Sequence, residues 1–276
     1  MTIDNGYDTD QLTRLRSEAR EIQARYPQAR SALLPMLHLM QAEDGYVSPT
    51  GIAFCADELG LTTAEVSAVA TFYTQYKRHP NGEYTVGVCT NTLCAVMGGD
   101  AIWDGLTSHL GVGHDETTAD GLVTLERIEC NAACDYAPVV MVNWEFFDNQ
   151  TVDSARATVD QLRAGETVVP TRGADSVCTF KQMSRVLAGF PDGRADEGIG
   201  AGAPTLRGTT IAKDRGWAAP EFPPADGAAP AASAPASAPA TGSAPATGAP
   251  QSSAERPAST PADSDATTTT STAKES

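Results

Sequence analysis

With 276 residues and a formal charge of −16, the chain is acidic, which argues against nucleic acid or anionic lipid as its main partner, since both are bound through basic patches. From Ala218 to Ser276 it runs through Ala, Pro, Ser, Thr and Gly, holding ten of the eighteen prolines and Phe222 as its only aromatic residue. Such a stretch buries too little apolar surface to offset its ordering entropy and is expected to stay disordered, leaving about 210 residues for one large domain or two small ones.

In chain order, the N-terminus MTIDNGYDTDQL has neither the basic start nor the apolar run of a secretory signal. Leu12, Leu15, Ala19 and Ile22 then repeat at helical spacing before Pro27 interrupts. A second helix is expected over Ser31 to Gln41; this most apolar segment is too short to span a bilayer. Ser48-Pro49 reads as an N-cap followed by proline at the first helical position, opening a helix that ends near Gly60. Thr62 and Glu65 have capping-box spacing, and Val66, Val69, Tyr73 and Tyr76 are predicted to line one face of the helix that follows. His79-Pro80-Asn81-Gly82 ends what reads as a helical bundle over residues 1–80.

The period then changes. Tyr84, Val86 and Val88 alternate as a strand running into Cys89. Ala101 to Leu110 reads as a helix closed by Gly111, Leu122 to Ile128 as a strand leading to Cys130, and Val139 to Val142 as a buried strand. A turn at Asn143-Trp144 returns the chain through Glu145 to Phe147. Val152, Ala155, Val159 and Leu162 mark a last helix, with Gly165 at its end. Residues 166–217 read as an extended arm with one short helix around Phe180, Met183, Val186 and Leu187, the arm laid on a partner.

Chemistry concentrates in four cysteines. Cys89 and Cys94 form C-x4-C, Cys130 and Cys134 form C-x3-C, and each pair follows a predicted strand. Two neighbouring strand ends would present four thiolates, the soft ligands that iron–sulfur clusters and zinc require. The wide spacing favours a [2Fe–2S] cluster, with two cysteines on each iron, over structural zinc, which commonly uses C-x2-C turns. A thiol–disulfide oxidoreductase is disfavoured because no C-x-x-C occurs. In a chain read as cytoplasmic, clustered cysteines point to metal or redox chemistry rather than disulfides. The small and polar residues Thr90, Asn91, Thr92, Asn131, Ala132 and Ala133 would let backbone amides approach the sulfurs.

Three stretches carry a family resemblance: ALLPMLHLMQAEDGYVS, VATFYTQYKRHPNGEYTVGVCTNTLC and IECNAACDYAPVVMVN. Over roughly residues 30–165 the chain resembles the [2Fe–2S] peripheral-arm subunit of bacterial respiratory complex I, which is related to the mitochondrial 24 kDa-type subunit. The resemblance implies an α+β chain: a helical bundle, then a thioredoxin-like ferredoxin domain over residues 81–165. It also implies one [2Fe–2S] cluster on Cys89, Cys94, Cys130 and Cys134, and single-electron exchange with the flavin of a flavoprotein partner that binds FMN and NADH. Such a subunit would reach the cytoplasmic face of the plasma membrane only through the complex. The same module serves NAD-linked formate dehydrogenases and hydrogenases. One departure stands out: where the family usually has glycine between the last two cysteines, this chain has Asn131-Ala132-Ala133.

The remaining candidates take plainer readings. Cys55 on a predicted helix and Cys178 in a predicted loop read as spectators, since free cysteine behaves as a small hydrophobe. His38, His79, His109 and His114 lack metal-ligand spacing, and Phe72, Tyr73 and Tyr76 read as packing. Tyr136, Ala137 and Pro138 are expected to shield the cluster, with Pro138 a candidate for a cis bond. Gly198-Ile-Gly200-Ala-Gly202-Ala203 has the form of a dinucleotide fingerprint, but no strand is predicted before it and Pro204 stands where a helix would open. Binding of NADH and flavin is therefore expected on a neighbour.

Overall fold

Asp8 opens the first helix, α1 (Thr9–Gln23): its carboxylate accepts from the Gln11 amide at 2.8 Å, while the Gln11 side chain accepts from the Asp8 amide at 3.1 Å. This reciprocal cap satisfies donors that the first turn leaves free. The structure, a computed structural model, describes residues 6–221. The expected disordered tail lies outside the described residues from position 222 on, while the described residues up to Ala218 belong to one compact unit.

Three helices complete the bundle: α2 (Leu33–Asp44), α3 (Pro49–Leu59) and α4 (Thr63–Phe72). Ser48 accepts from the Gly51 amide at 2.9 Å and Pro49 fills the first helical position; Gly60 closes α3 at φ +64°, where only glycine is free of a Cβ penalty. Thr62 and Glu65 form the predicted capping box. Leu15, Ala19, Ile22, Met36, Leu37, Phe54 and Val66 share one apolar cluster.

The helix ends before the predicted stripe does. Tyr73 is already extended and 44 % exposed, and Tyr76 turns back so that its hydroxyl donates to the Leu34 carbonyl at 3.0 Å. Tertiary contact overrides helical periodicity at that point. Gln41 then fixes the exit from the bundle, its side-chain oxygen accepting from the Lys77 amide at 2.6 Å.

The second half begins with β1 (Tyr84–Cys89), α5 (Thr92–Met97) and α6 (Gly99–Leu110). Next come β2 (Glu116–Thr117), β3 (Val123–Ile128), β4 (Val140–Val142), β5 (Glu145–Phe147) and α7 (Val152–Arg163). The sheet order is β2-β3-β1-β4-β5, with β1 parallel to β3 and the other pairs antiparallel. Val86 and Val88 of β1, Leu125 of β3 and Val140 and Val142 of β4 bury one face against α6 and α7 through Ile102, Leu106, Ala155, Val159 and Leu162. Asn143 and Trp144 both take positive φ in the β4–β5 turn, the primed geometry that matches strand twist.

Two further helices follow, α8 (Phe180–Leu187) and α9 (Ala203–Asp214). Helix α8 packs on α2, and Phe180 stacks on Trp144 at 5.9 Å. Helices α5 and α9 and strand β2 were not expected from the sequence. In α9, Pro204 sits in the first turn, where its missing N–H costs no hydrogen bond, so the proline read as a barrier is compatible with a helix start. Among the described residues the element directly before the Gly198–Gly202 run is helix α8, not a strand.

His38 is 8 % exposed against Tyr76, its Nδ1 has no partner, and burial lowers its pKa to about 4. The folded chain therefore keeps it neutral, while the unfolded chain takes up a proton below about pH 6.5. Stability is lost as pH falls from there toward 4, by about 2–3 kcal/mol through this residue. Urea denaturation at pH 7 and pH 4.5 is expected to show a loss smaller by about 2 kcal/mol in His38→Leu than in the wild type.

Candidate metal centre

Parallel pairing decides where the cysteines go. Cys89 is the last residue of β1 and lies opposite Ile128, the last of β3; Cys130 follows two residues later. Because the two strands run side by side in the same direction, both chains leave the sheet at the same end, about 5 Å apart. The Cys89 amide donates to the Val139 carbonyl at 3.1 Å, which brings the segment after Cys134 to the same end.

Each pair closes on itself. Cys94 lies in the first turn of α5 rather than in a loop, and it lines the same cleft as Cys89. On the other side the Cys130 and Cys134 sulfurs are 3.4 Å apart. Two thiolates bound at about 2.3 Å to one tetrahedral ion lie about 3.7 Å apart, so this pair is preset for a shared metal. All four thiols, uncommitted to disulfides, line one small cleft with Asn131, Ala133 and Val139. Among the described residues no three cysteine, histidine or carboxylate side chains converge on a single point. Two separate pairs suit a two-iron cluster with two cysteines on each iron better than the tetrahedron of structural zinc.

The pairs differ in their surroundings. Cys89 and Cys94 are buried, at 3 % and 2 % exposure, whereas Cys130 and Cys134 are exposed. Burial, with the neighbouring Cys89 adding to it, pushes the Cys94 thiol up to about 11. The hydrogen bond to Cys130 raises that of Cys134. Both therefore hold their protons at neutral pH, and ligation of a metal as thiolates would require their release.

A residue missed by sequence reading shapes the inner pair. Gly99 opens α6 directly behind the site, where a Cβ would stand 2.5 Å from the Cys89 carbonyl and 2.9 Å from that of Cys94. Gly98 before it sits at φ +118°. The adjacent glycines after C-x4-C were the available signal. Elsewhere, Ala137–Pro138 is the cis bond anticipated, and Tyr136 ends the 3-10 turn that begins at Cys134.

The spectators fall away from the cleft. Cys55 is in the bundle core, where burial raises its thiol, and Cys178 is buried just before α8, its carbonyl accepting from Asn143 at 2.7 Å. His79 pairs with Asp115 at 2.9 Å and His109 with Asp160 at 2.7 Å, while His114 accepts from the Arg127 amide. None of these histidines lines the cysteine cleft.

The pattern of the thioredoxin-like [2Fe–2S] ferredoxin family matches residues 19–163. The chain is 66 % identical over 221 residues to the E subunit of the NADH-quinone oxidoreductase of Mycobacterium tuberculosis, covering 80 % of this chain and 87 % of the relative. It is 38 % identical over 146 residues to NADH-quinone oxidoreductase subunit 2 of Thermus thermophilus, covering 52 % of this chain and 81 % of that one. A crystal structure of an air-oxidised NAD+-reducing [NiFe]-hydrogenase aligns with TM-score 0.44 and 20 % identity, over 48 % of this chain and 23 % of that chain.

Ala132, in the middle of the Asn131-Ala132-Ala133 stretch between the last two cysteines, sits at φ +55°. A left-handed backbone costs a residue with a Cβ about 1–2 kcal/mol, which glycine's greater entropy loss partly offsets. Ala132→Gly is expected to stabilise the folded chain by about 0.5–1 kcal/mol, measured by urea denaturation of the metal-free protein.

Proposed function

The chain belongs to the thioredoxin-like [2Fe–2S] ferredoxin family, and from that premise we propose that Cys89, Cys94, Cys130 and Cys134 hold one [2Fe–2S] cluster in an electron-transfer subunit of an NADH–quinone oxidoreductase. The observation that carries the ligand assignment is the meeting of two local cysteine pairs at the adjacent C-terminal ends of the parallel strands β1 and β3. When bound, the cluster supplies one-electron chemistry. The chain's part is to ligate, to bury and to orient. Cys89 and Cys94 would hold the cluster from the buried side, and Cys130 and Cys134 from the exposed side.

The redox partner is read as a flavoprotein subunit that binds NADH and FMN. Around the site Leu93, Val96 and Met97 of α5 are 44 %, 79 % and 56 % exposed, an apolar margin suited to a neighbouring protein of the complex. No helix among the described residues is long and apolar enough to cross a membrane. On this reading the chain sits at the cytoplasmic face, held there by the rest of the complex, because an NADH-oxidising assembly draws on cytoplasmic NADH. The division near residue 80 into bundle and ferredoxin domain belongs to the same reading and is supported by two separate apolar clusters, the first drawn from residues before 80 together with Ala188, the second from residues after 80.

Anaerobically purified protein is expected to contain two iron and two acid-labile sulfide per chain and to give an electron paramagnetic resonance signal on reduction with dithionite. Cys→Ser at any of the four positions should abolish or alter that signal, and Cys55→Ser and Cys178→Ser should leave it unchanged. One zinc per chain, or loss of the signal in Cys55→Ser, would overturn the assignment.

A further inference from the structure

We propose that Arg172 is a positioning residue for the outer half of the cluster site, and that it works by clamping Tyr136 beneath the chain segment that leads into α9. The inference rests on the ligand assignment above, because Tyr136 ends the turn that starts at Cys134.

Arg172 stands at a junction of segments far apart in sequence. Its Nε donates to the Asp148 carboxylate at 2.8 Å, where the two side chains are only 15 % and 6 % exposed. Its Nη1 donates to the Gly200 carbonyl at 2.8 Å. The guanidinium plane lies over the Phe146 ring at 3.8 Å and within 5.1 Å of the Tyr136 ring. One planar, permanently charged group thus joins β5, the cluster turn and the arm. Lysine, with a compact charge and no flat fork, lacks the means to do all three at once.

Tyr136 is held from two other sides. Its carbonyl accepts from the Asn149 amide at 2.8 Å. The backbone of Gly202 lies so close to its hydroxyl that a Cβ at that position would collide with the oxygen. Next to it, Thr205 donates to the Asp135 carboxylate at 2.5 Å. Asp135 and Tyr136 directly follow an exposed ligand, so the arm bears on the part of the site with the least packing of its own.

That arrangement accounts for the placement of α9, none of whose residues is buried. Its anchor is the cluster turn, reached through Gly202 and Thr205, rather than an apolar core. Gly200, Gly202 and Thr205 then brace the turn from behind, outside the lining of the cysteine cleft.

The test uses the full-length protein, with Arg172→Met removing the clamp and Gly202→Val pushing the arm off Tyr136 while leaving the Arg172–Asp148 pair intact. Amide hydrogen exchange at residues 131–136 is expected to quicken at least tenfold in both, with α1–α4 unchanged. The reduction midpoint, followed by electron paramagnetic resonance, is expected to move while iron and sulfide per chain stay constant. Wild-type exchange in the turn, or an unmoved midpoint, in either folded variant overturns the proposal. Should Arg172→Met fail to fold, Gly202→Val decides. If the wild-type protein proves free of iron, the ligand assignment fails, whereas the exchange measurement still judges the clamp.

Discussion

The side-by-side run of β1 and β3 is the constraint on which the rest of the site depends. Neither cysteine pair has a reason to approach the other from local sequence alone, since a helix-containing crossover separates them. Pairing Val86 with Leu125 and Cys89 with Ile128 fixes the register. A slip of one residue would turn Val86 and Val88 away from α6 and α7 and expose them. The apolar core therefore enforces the same alignment that brings the sulfurs together. Packing and metal chemistry have one geometric solution in common.

Within that geometry the two halves of the site have different neighbours. The inner pair is backed by Gly99 and Val139 and lies in a low-dielectric setting, where an uncompensated thiolate is costly. The outer pair leans on a short turn, a left-handed alanine and an arm from the end of the described chain. This asymmetry fits an electron-transfer role. One side must be insulated from solvent, and the other must come close to whatever donates or accepts the electron.

Much of this was legible in the sequence because the signals were local. Ser48-Pro49, Gly60, the Thr62–Glu65 pair and Asn143-Trp144 each specify a cap or turn within a few residues, and all appear where expected. The cysteine pairs could be read from spacing and from the strands that precede them. What escaped were features set by distant contacts. Tyr76 abandons the predicted helical stripe because the Leu34 carbonyl draws its hydroxyl elsewhere. Helix α5 is six residues long, too short to show a period, and α9 has no buried face to write one. The several contacts of Arg172 come from β5, the cluster turn and the arm, a set that no window of sequence displays.

The outline of the sheet also limits how this chain can associate with others. At one border β2 contributes only two residues, and at the other β5 is met by the backbone of residues 171–172 through the Thr171 amide and the Phe146–Arg172 bridge. Unpaired strand borders invite other chains to add on by main-chain hydrogen bonding. Here both are short or occupied. Recognition by neighbouring subunits must accordingly rely on side-chain shape and charge, which keeps assembly selective and guards the free polypeptide against strand-to-strand aggregation.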